Sequence, residues 1–79
     1  MTVFGGKTLL ITGGTGSFGG AVLDRFLNTD ITEIRIFSRD EKKQDYMRHY
    51  YKNDKIKYYI GDVRNLASLR DAMYGVDYI

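Results

Sequence analysis

Thr12-Gly13-Gly14-Thr15-Gly16-Ser17-Phe18-Gly19-Gly20 separates an apolar run from an amphipathic one, and the reading of the whole chain turns on its glycines. The run before it, Lys7-Thr8-Leu9-Leu10-Ile11-Thr12, is short and bounded by glycines, the pattern of a parallel strand buried on both faces. After it, Gly19, Val22, Leu23, Phe26 and Leu27 recur at the spacing of one helix stripe. The glycines therefore sit at a strand-to-helix turn. There the first helical N–H groups lack internal partners and the helix dipole adds partial positive charge, so a phosphate is a favoured occupant. Glycine lets the backbone approach that phosphate and supplies the positive φ of a tight turn.

Two registers, Gly14-x-Gly16-x-x-Gly19 and Gly13-x-x-Gly16-x-x-Gly19, share their last two glycines, and both are dinucleotide fingerprints. A Walker loop is excluded, because no Lys-Ser or Lys-Thr follows Gly19. The competing reading is a glycine-rich connection with no ligand. The flanking strand and helix favour the dinucleotide turn, with Gly13, Thr15, Gly16, Ser17, Phe18 and Gly19 as its contacts.

Downstream, strand-like and helix-like segments alternate without proline, repeat or linker, which argues for a parallel sheet covered by helices. Asn28-Thr29-Asp30 stops the first helix, and Glu33-Ile34-Arg35-Ile36-Phe37-Ser38 reads as the second strand. At the tip of that strand, beside the adenosine ribose of a doubly wound fold, NAD sites place an acidic residue. This chain offers Ser38 and Arg39. A guanidinium grips a 2′-phosphate with paired hydrogen bonds, so NADP is the expected cofactor, and Lys42 and Lys43 add charge one turn later. Alternatively, Arg39 only pairs with Asp40 or Glu41 at the surface.

A helix is expected from Asp40 to about Tyr51, with Tyr46, Met47, Tyr50 and Tyr51 as a stripe packed on the sheet and His49 off it. Asn53-Asp54 marks a turn and Ile56-Lys57-Tyr58-Tyr59-Ile60-Gly61 a third strand. Asp62 and Val63 follow at its carboxyl end, where Asp62 is placed to accept from an adenine amino group and Val63 to cover the ring. Asp62 has a capping role as its alternative, although Asn65 is the better placed cap. The third helix carries Leu66, Leu69, Ala72 and Met73 on one face and stops near Gly75; Val76-Asp77-Tyr78-Ile79 begins a fourth strand. The expected architecture is α/β: the amino-terminal half of a Rossmann-type doubly wound sheet, strand order three-two-one-four, with helices on both faces.

Seventy-nine residues allow at most one small domain. A fourth strand that should be central would be left uncovered, so residues 1–79 read as part of a longer NADP-binding domain. With no cysteine and only His49, no metal site is expected. No signal peptide opens the chain and no apolar run approaches the roughly 20 residues that span a bilayer, so a cytoplasmic protein without membrane contact is expected. The net charge is +2, and the basic residues between Arg35 and Lys57 are interleaved with acids, as on a solvated face. That pattern speaks against a nucleic-acid surface despite seven tyrosines.

The glycine turn, the segment Ile34-Arg35-Ile36-Phe37-Ser38-Arg39-Asp40-Glu41-Lys42-Lys43-Gln44, and Tyr59-Ile60-Gly61-Asp62-Val63-Arg64 together resemble the nucleotide-sugar branch of the extended short-chain dehydrogenases. Within it they are most similar to the UDP-N-acetylglucosamine 4,6-dehydratases and 4-epimerases of bacterial capsule and O-antigen synthesis. The resemblance implies an NADP enzyme acting on a UDP-sugar, homo-oligomeric at full length. By it, the backbone from Thr15 to Phe18 holds the pyrophosphate, Ser38 to Lys43 the ribose and its 2′-phosphate, and Asp62 with Val63 the adenine. The family's catalytic tyrosine and lysine, four apart on a later helix, have no counterpart up to Ile79, so no catalytic residue is expected here and these residues alone are not expected to turn over substrate. Dehydratase and 4-epimerase share these motifs. An NADP-sensing regulator and an independent small interaction module are the readings from other classes.

Overall fold

The computed structural model describes residues 4–13 and 16–79; within these, the side chains of Ser17 and Phe18 are not described. Six elements alternate along the chain: β1 (Thr8–Thr12), α1 (Ser17–Leu27), β2 (Glu33–Ser38), α2 (Glu41–Tyr51), β3 (Ile56–Ile60) and α3 (Leu66–Met73). The three strands form one parallel sheet in the order β1-β2-β3, with Leu9 beside Ile34 and Ile34 beside Ile56. On the far side of β1, Tyr78 makes a single parallel bridge to Leu9. The spatial order of three-two-one-four is therefore present, but the expected fourth strand over 76–79 is reduced to that bridge. The Tyr78 N–H donates to the Thr8 carbonyl at 3.1 Å and the Tyr78 carbonyl accepts from the Leu10 N–H at 2.8 Å, which makes that bridge, while the Asp77 N–H shares the Thr8 carbonyl at 2.9 Å.

Side-chain alternation divides the core between the two faces of the sheet. Leu9, Ile11, Ile34, Ile36 and Ile56 point to one face, where Leu23 of α1 and Met47 of α2 pack on them. Leu10 and Phe37 point to the other, where Ala72 of α3 meets them. Two helices on one face and one on the other make the Rossmann-type arrangement. Leu10, Leu23, Ile34 and Ile36 are fully buried, each stabilising the fold by roughly 1.5–3 kcal/mol.

Two helices bury less than their sequences promise. On α2 the inward face is Gln44, Met47 and half-buried Tyr51, at offsets of zero, three and seven; Tyr46 and Tyr50 are 72% and 65% exposed. They lie beside that face, and the Tyr50 ring packs 5.0 Å from Tyr51 instead of on the sheet. On α3 only Ala72 and half-buried Leu69 reach the core, while Leu66 and Met73 remain exposed. Arg35, numbered among the basic residues of a solvated face, is structural: it pairs with Glu33 and donates to the carbonyls of Ala72 and Tyr74 at 2.9 and 2.6 Å. It thereby satisfies carbonyls at the end of α3 and ties that helix to β2. His49 is exposed on α2, as expected.

Candidate functional site

The carboxyl ends of the three strands carry the site, because there the ladder continues past the strands themselves. The Gly13 N–H donates to the Phe37 carbonyl at 2.9 Å, and the Gly61 N–H to the Ser38 carbonyl at 3.0 Å. Gly13, Ser38, Arg39, Asp62 and Val63 are thus drawn around one cleft of ≈ 260 Å³. Ser38 and Arg39 also border a shallower depression of ≈ 570 Å³ with Asp40 and Glu41. Gly16 and Lys43 line a separate cleft of ≈ 340 Å³ with exposed Tyr46 and Tyr50. Gly19 is buried within α1 and Lys42 is exposed on α2. Thr15 lies outside the described residues, as do the side chains of Ser17 and Phe18.

The first turn is made of backbone. Gly13 has φ +67°, a conformation that favours glycine, and its carbonyl accepts from Gly16 N–H at 3.1 Å. Gly16 is the N-cap of α1, and among the described residues no side chain caps that helix. Gly16 itself is extended, with φ −85° and ψ 174°, which any residue adopts. A Cβ there would stand 3.6 Å from the Gly13 carbonyl oxygen, an ordinary contact. The described structure therefore has no conformational or steric need for glycine at 16.

The second turn is made of side chains. Asp40 Oδ1 accepts from Lys43 N–H at 2.9 Å and caps α2, satisfying one of its free donors. Ser38 Oγ accepts from the Asp40 N–H at 3.1 Å. Behind them Gln44, fully buried, donates through Nε2 to the Tyr59 carbonyl at 2.9 Å and to Ser38 Oγ at 3.2 Å. Gln44 carries no role in the sequence reading; its signal is a polar residue three positions before Met47 on the same inward stripe.

The third turn sets a charge. Arg64 donates to Asp62 three times through its side chain, most closely at 2.8 Å from Nη2, and once through its backbone at 2.9 Å. These bonds hold the Asp62 carboxyl at about 2, well below the ordinary carboxylate. Arg39 reaches the same carboxylate, 3.5 Å from Nη1 to Oδ2, with 71% of its side chain exposed. Arg39 thus pairs with neither Asp40 nor Glu41 but leans across the cleft. One such exposed contact is weak and leaves most of the guanidinium open. Asn65 caps α3 through Oδ1, accepting from Ala67 and Ser68 N–H. Gly61 is needed for a different reason from Gly13: a Cβ would fall 2.8 Å from the buried Phe37 ring.

The profile of the polysaccharide biosynthesis protein family matches residues 9–79. The chain belongs to that family. It is 65% identical to a UDP-glucose 4-epimerase of Rickettsia felis and 68% identical to one of Rickettsia bellii, in each case over 98% of this chain and 24% of the relative. Among solved structures it superimposes on Pen from Bacillus thuringiensis with a TM-score of 0.91 at 36% identity, over 98% of this chain and 24% of the other. The chain spans about a quarter of the length of these family relatives. Among the described residues no helix is long and apolar enough to cross a membrane, and no cluster of acidic or imidazole side chains is arranged to hold a metal.

Proposed function

We propose that residues 1–79 form the amino-terminal part of the NADP-binding domain of a UDP-sugar-modifying enzyme of bacterial surface polysaccharide synthesis. The observation that carries the reading is Gly16: a glycine that nothing among the described residues requires, at the start of a helix that no described side chain caps, in a dinucleotide spacing. Close approach of a pyrophosphate accounts for it. In this assignment the amides from Thr15 to Phe18 hold the pyrophosphate, with Gly13 and Gly19 shaping the turn. Ser38, Arg39, Lys42 and Lys43 take the 2′-phosphate, with Asp40 and Glu41 forming the rim beside the ribose. Asp62 and Val63 take the adenine. Bound NADP supplies a nicotinamide that accepts a hydride from the sugar C4 and returns it. The residues of this chain bind and orient; the proton-transferring groups lie elsewhere in the full-length protein.

The names of the relatives favour return of the hydride to C4, a 4-epimerase. The motifs after each strand equally suit a UDP-N-acetylglucosamine 4,6-dehydratase, which loses water across C5–C6 and returns the hydride to C6. Incubation of the full-length protein with UDP-glucose or UDP-N-acetylglucosamine, followed by NMR, decides between them. A C4 epimer establishes the epimerase and a 4-keto-6-deoxy sugar the dehydratase. Retained NADP without turnover of either sugar would move the assignment to an NADP-sensing regulator, and failure to bind any dinucleotide would overturn it.

A further inference from the structure

We propose that Gln44 fixes the hydrogen-bonding polarity of Ser38 and thereby sets the preference of the second turn for a phosphorylated ribose over a free one. The proposal rests on the dinucleotide reading above. Gln44 is fully buried on the inward face of α2, where a primary amide is costly unless its groups are bonded. Its Nε2 faces the Tyr59 carbonyl, the Ser38 hydroxyl and, at 3.4 Å, the Ser38 carbonyl. Reversing the amide would set its oxygen against two carbonyl oxygens, so the donor end is the one that faces β2 and β3. The other end, Oε1, is buried and has no hydrogen-bond partner among the described residues. An apolar side chain of similar volume would avoid that unmet acceptor, so packing alone does not account for glutamine here.

The consequence falls on Ser38. A hydroxyl has two acceptor positions and one proton. Both acceptor positions are occupied by N–H donors, from Asp40 at 3.1 Å and Gln44 at 3.2 Å. What remains is the proton, and no described residue accepts it. Ser38 is 8% exposed and borders the depression shared with Arg39, Asp40 and Glu41, so its remaining function is to donate there. A 2′-phosphate only accepts and matches it. A free 2′-hydroxyl can accept that proton only as a weaker, uncharged acceptor, and it brings a proton of its own, which Ser38 in this state cannot take; NAD sites answer it with a carboxylate at the strand tip. Gln44 is thus a positioning residue that selects the cofactor without touching it.

The test compares NADP and NAD dissociation constants for the full-length protein, Gln44→Met, Ser38→Ala and the double variant. Gln44→Met keeps the volume and removes the donor, freeing the Ser38 hydroxyl to turn and accept. The expected result is NADP binding weakened by roughly three- to tenfold with NAD unchanged, a loss on the scale of part of one charged hydrogen bond. In the Ser38→Ala background, Gln44→Met should leave the NADP-to-NAD ratio where it is. Equal weakening of both cofactors, or an unchanged ratio in the single variant, overturns the proposal. Should circular dichroism show Gln44→Met unfolded, Ser38→Ala decides: a loss confined to NADP supports the donor-only hydroxyl, and an equal loss overturns it. A wild-type protein that binds NAD at least as tightly as NADP sinks this inference together with the 2′-phosphate assignment of the second turn, and leaves the pyrophosphate turn standing; one that binds neither sinks the dinucleotide reading with it.

Discussion

The turn after β1 and the turn after β2 stand side by side at the carboxyl end of the sheet, linked by the Gly13 to Phe37 hydrogen bond, and they are built from opposite materials. Among the described residues the first has no side-chain cap, and its contacts there are those of glycine backbone. The second is held by Asp40, Ser38 and Gln44, each of whose side chains is committed to a named partner. A turn stripped to its backbone keeps its donors free for a ligand that comes close. One braced by side chains keeps a fixed set of polar groups for a ligand that must be distinguished from its near relatives. Variants at the first should therefore separate binding from folding, and variants at the second should separate one ligand from another.

The largest expected effect is at Gly16. Alanine there meets only an ordinary contact and should cost about 1 kcal/mol of stability or less, the scale of an altered N-cap. Valine should abolish cofactor binding by occupying the space of approach while the protein still folds. Calorimetric titration with NADP, beside thermal unfolding, checks both; retained affinity in folded Gly16→Val would refute the phosphate turn. At the second turn, Arg39→Ala should weaken NADP by about 1.5–3 kcal/mol, the scale of a hydrogen bond to a charged group, and NAD by much less. Equal losses would remove Arg39 from the 2′-phosphate and leave it as the partner of Asp62. Asp40→Ala should act on the brace itself, costing about 1 kcal/mol of stability through the lost cap of α2. Chemical denaturation checks it, and Asp40→Ser should recover most of the loss.

The same contrast explains what could be read from sequence alone. Strand positions, helix order and the glycine turn follow from apolar periodicity and from glycines at fixed offsets, both of which are local signals. β2 runs from Glu33 to Ser38 as its sequence predicts, and Asn65 caps α3. What the sequence hid is tertiary. Tyr46 and Tyr50 satisfy a helical spacing with Met47 and Tyr51, but only the arc centred between Gln44, Met47 and Tyr51 meets the sheet. Nothing local says which of two adjacent arcs that will be. Gln44 and Arg35 were illegible for a related reason: their partners are carbonyls of other elements, at Tyr59 for one and at Ala72 and Tyr74 for the other. A carbonyl has no residue type to betray it.

The smallest predicted effect lies in the third turn and tests whether its brace is local. Asp62 is held near 2 chiefly by hydrogen bonds from the Arg64 side chain, and only secondarily by the charge of Arg39. A carboxyl whose folded value lies below its unfolded one, about 3.9, stabilises the fold above that pH and loses its contribution as pH falls through about 2. Arg64→Ala should return the Asp62 carboxyl toward the ordinary range, followed as its carboxyl carbon shift in an NMR titration. It should weaken the protein from about pH 4 upward, where the carboxyl is ionised, and not at the acid end below about 2, where both states are protonated. Arg39→Ala should move the same carboxyl much less. If Arg39→Ala moved it more, the second and third turns would share one electrostatic unit, and the adenine and ribose ends of the site would have to be treated as coupled.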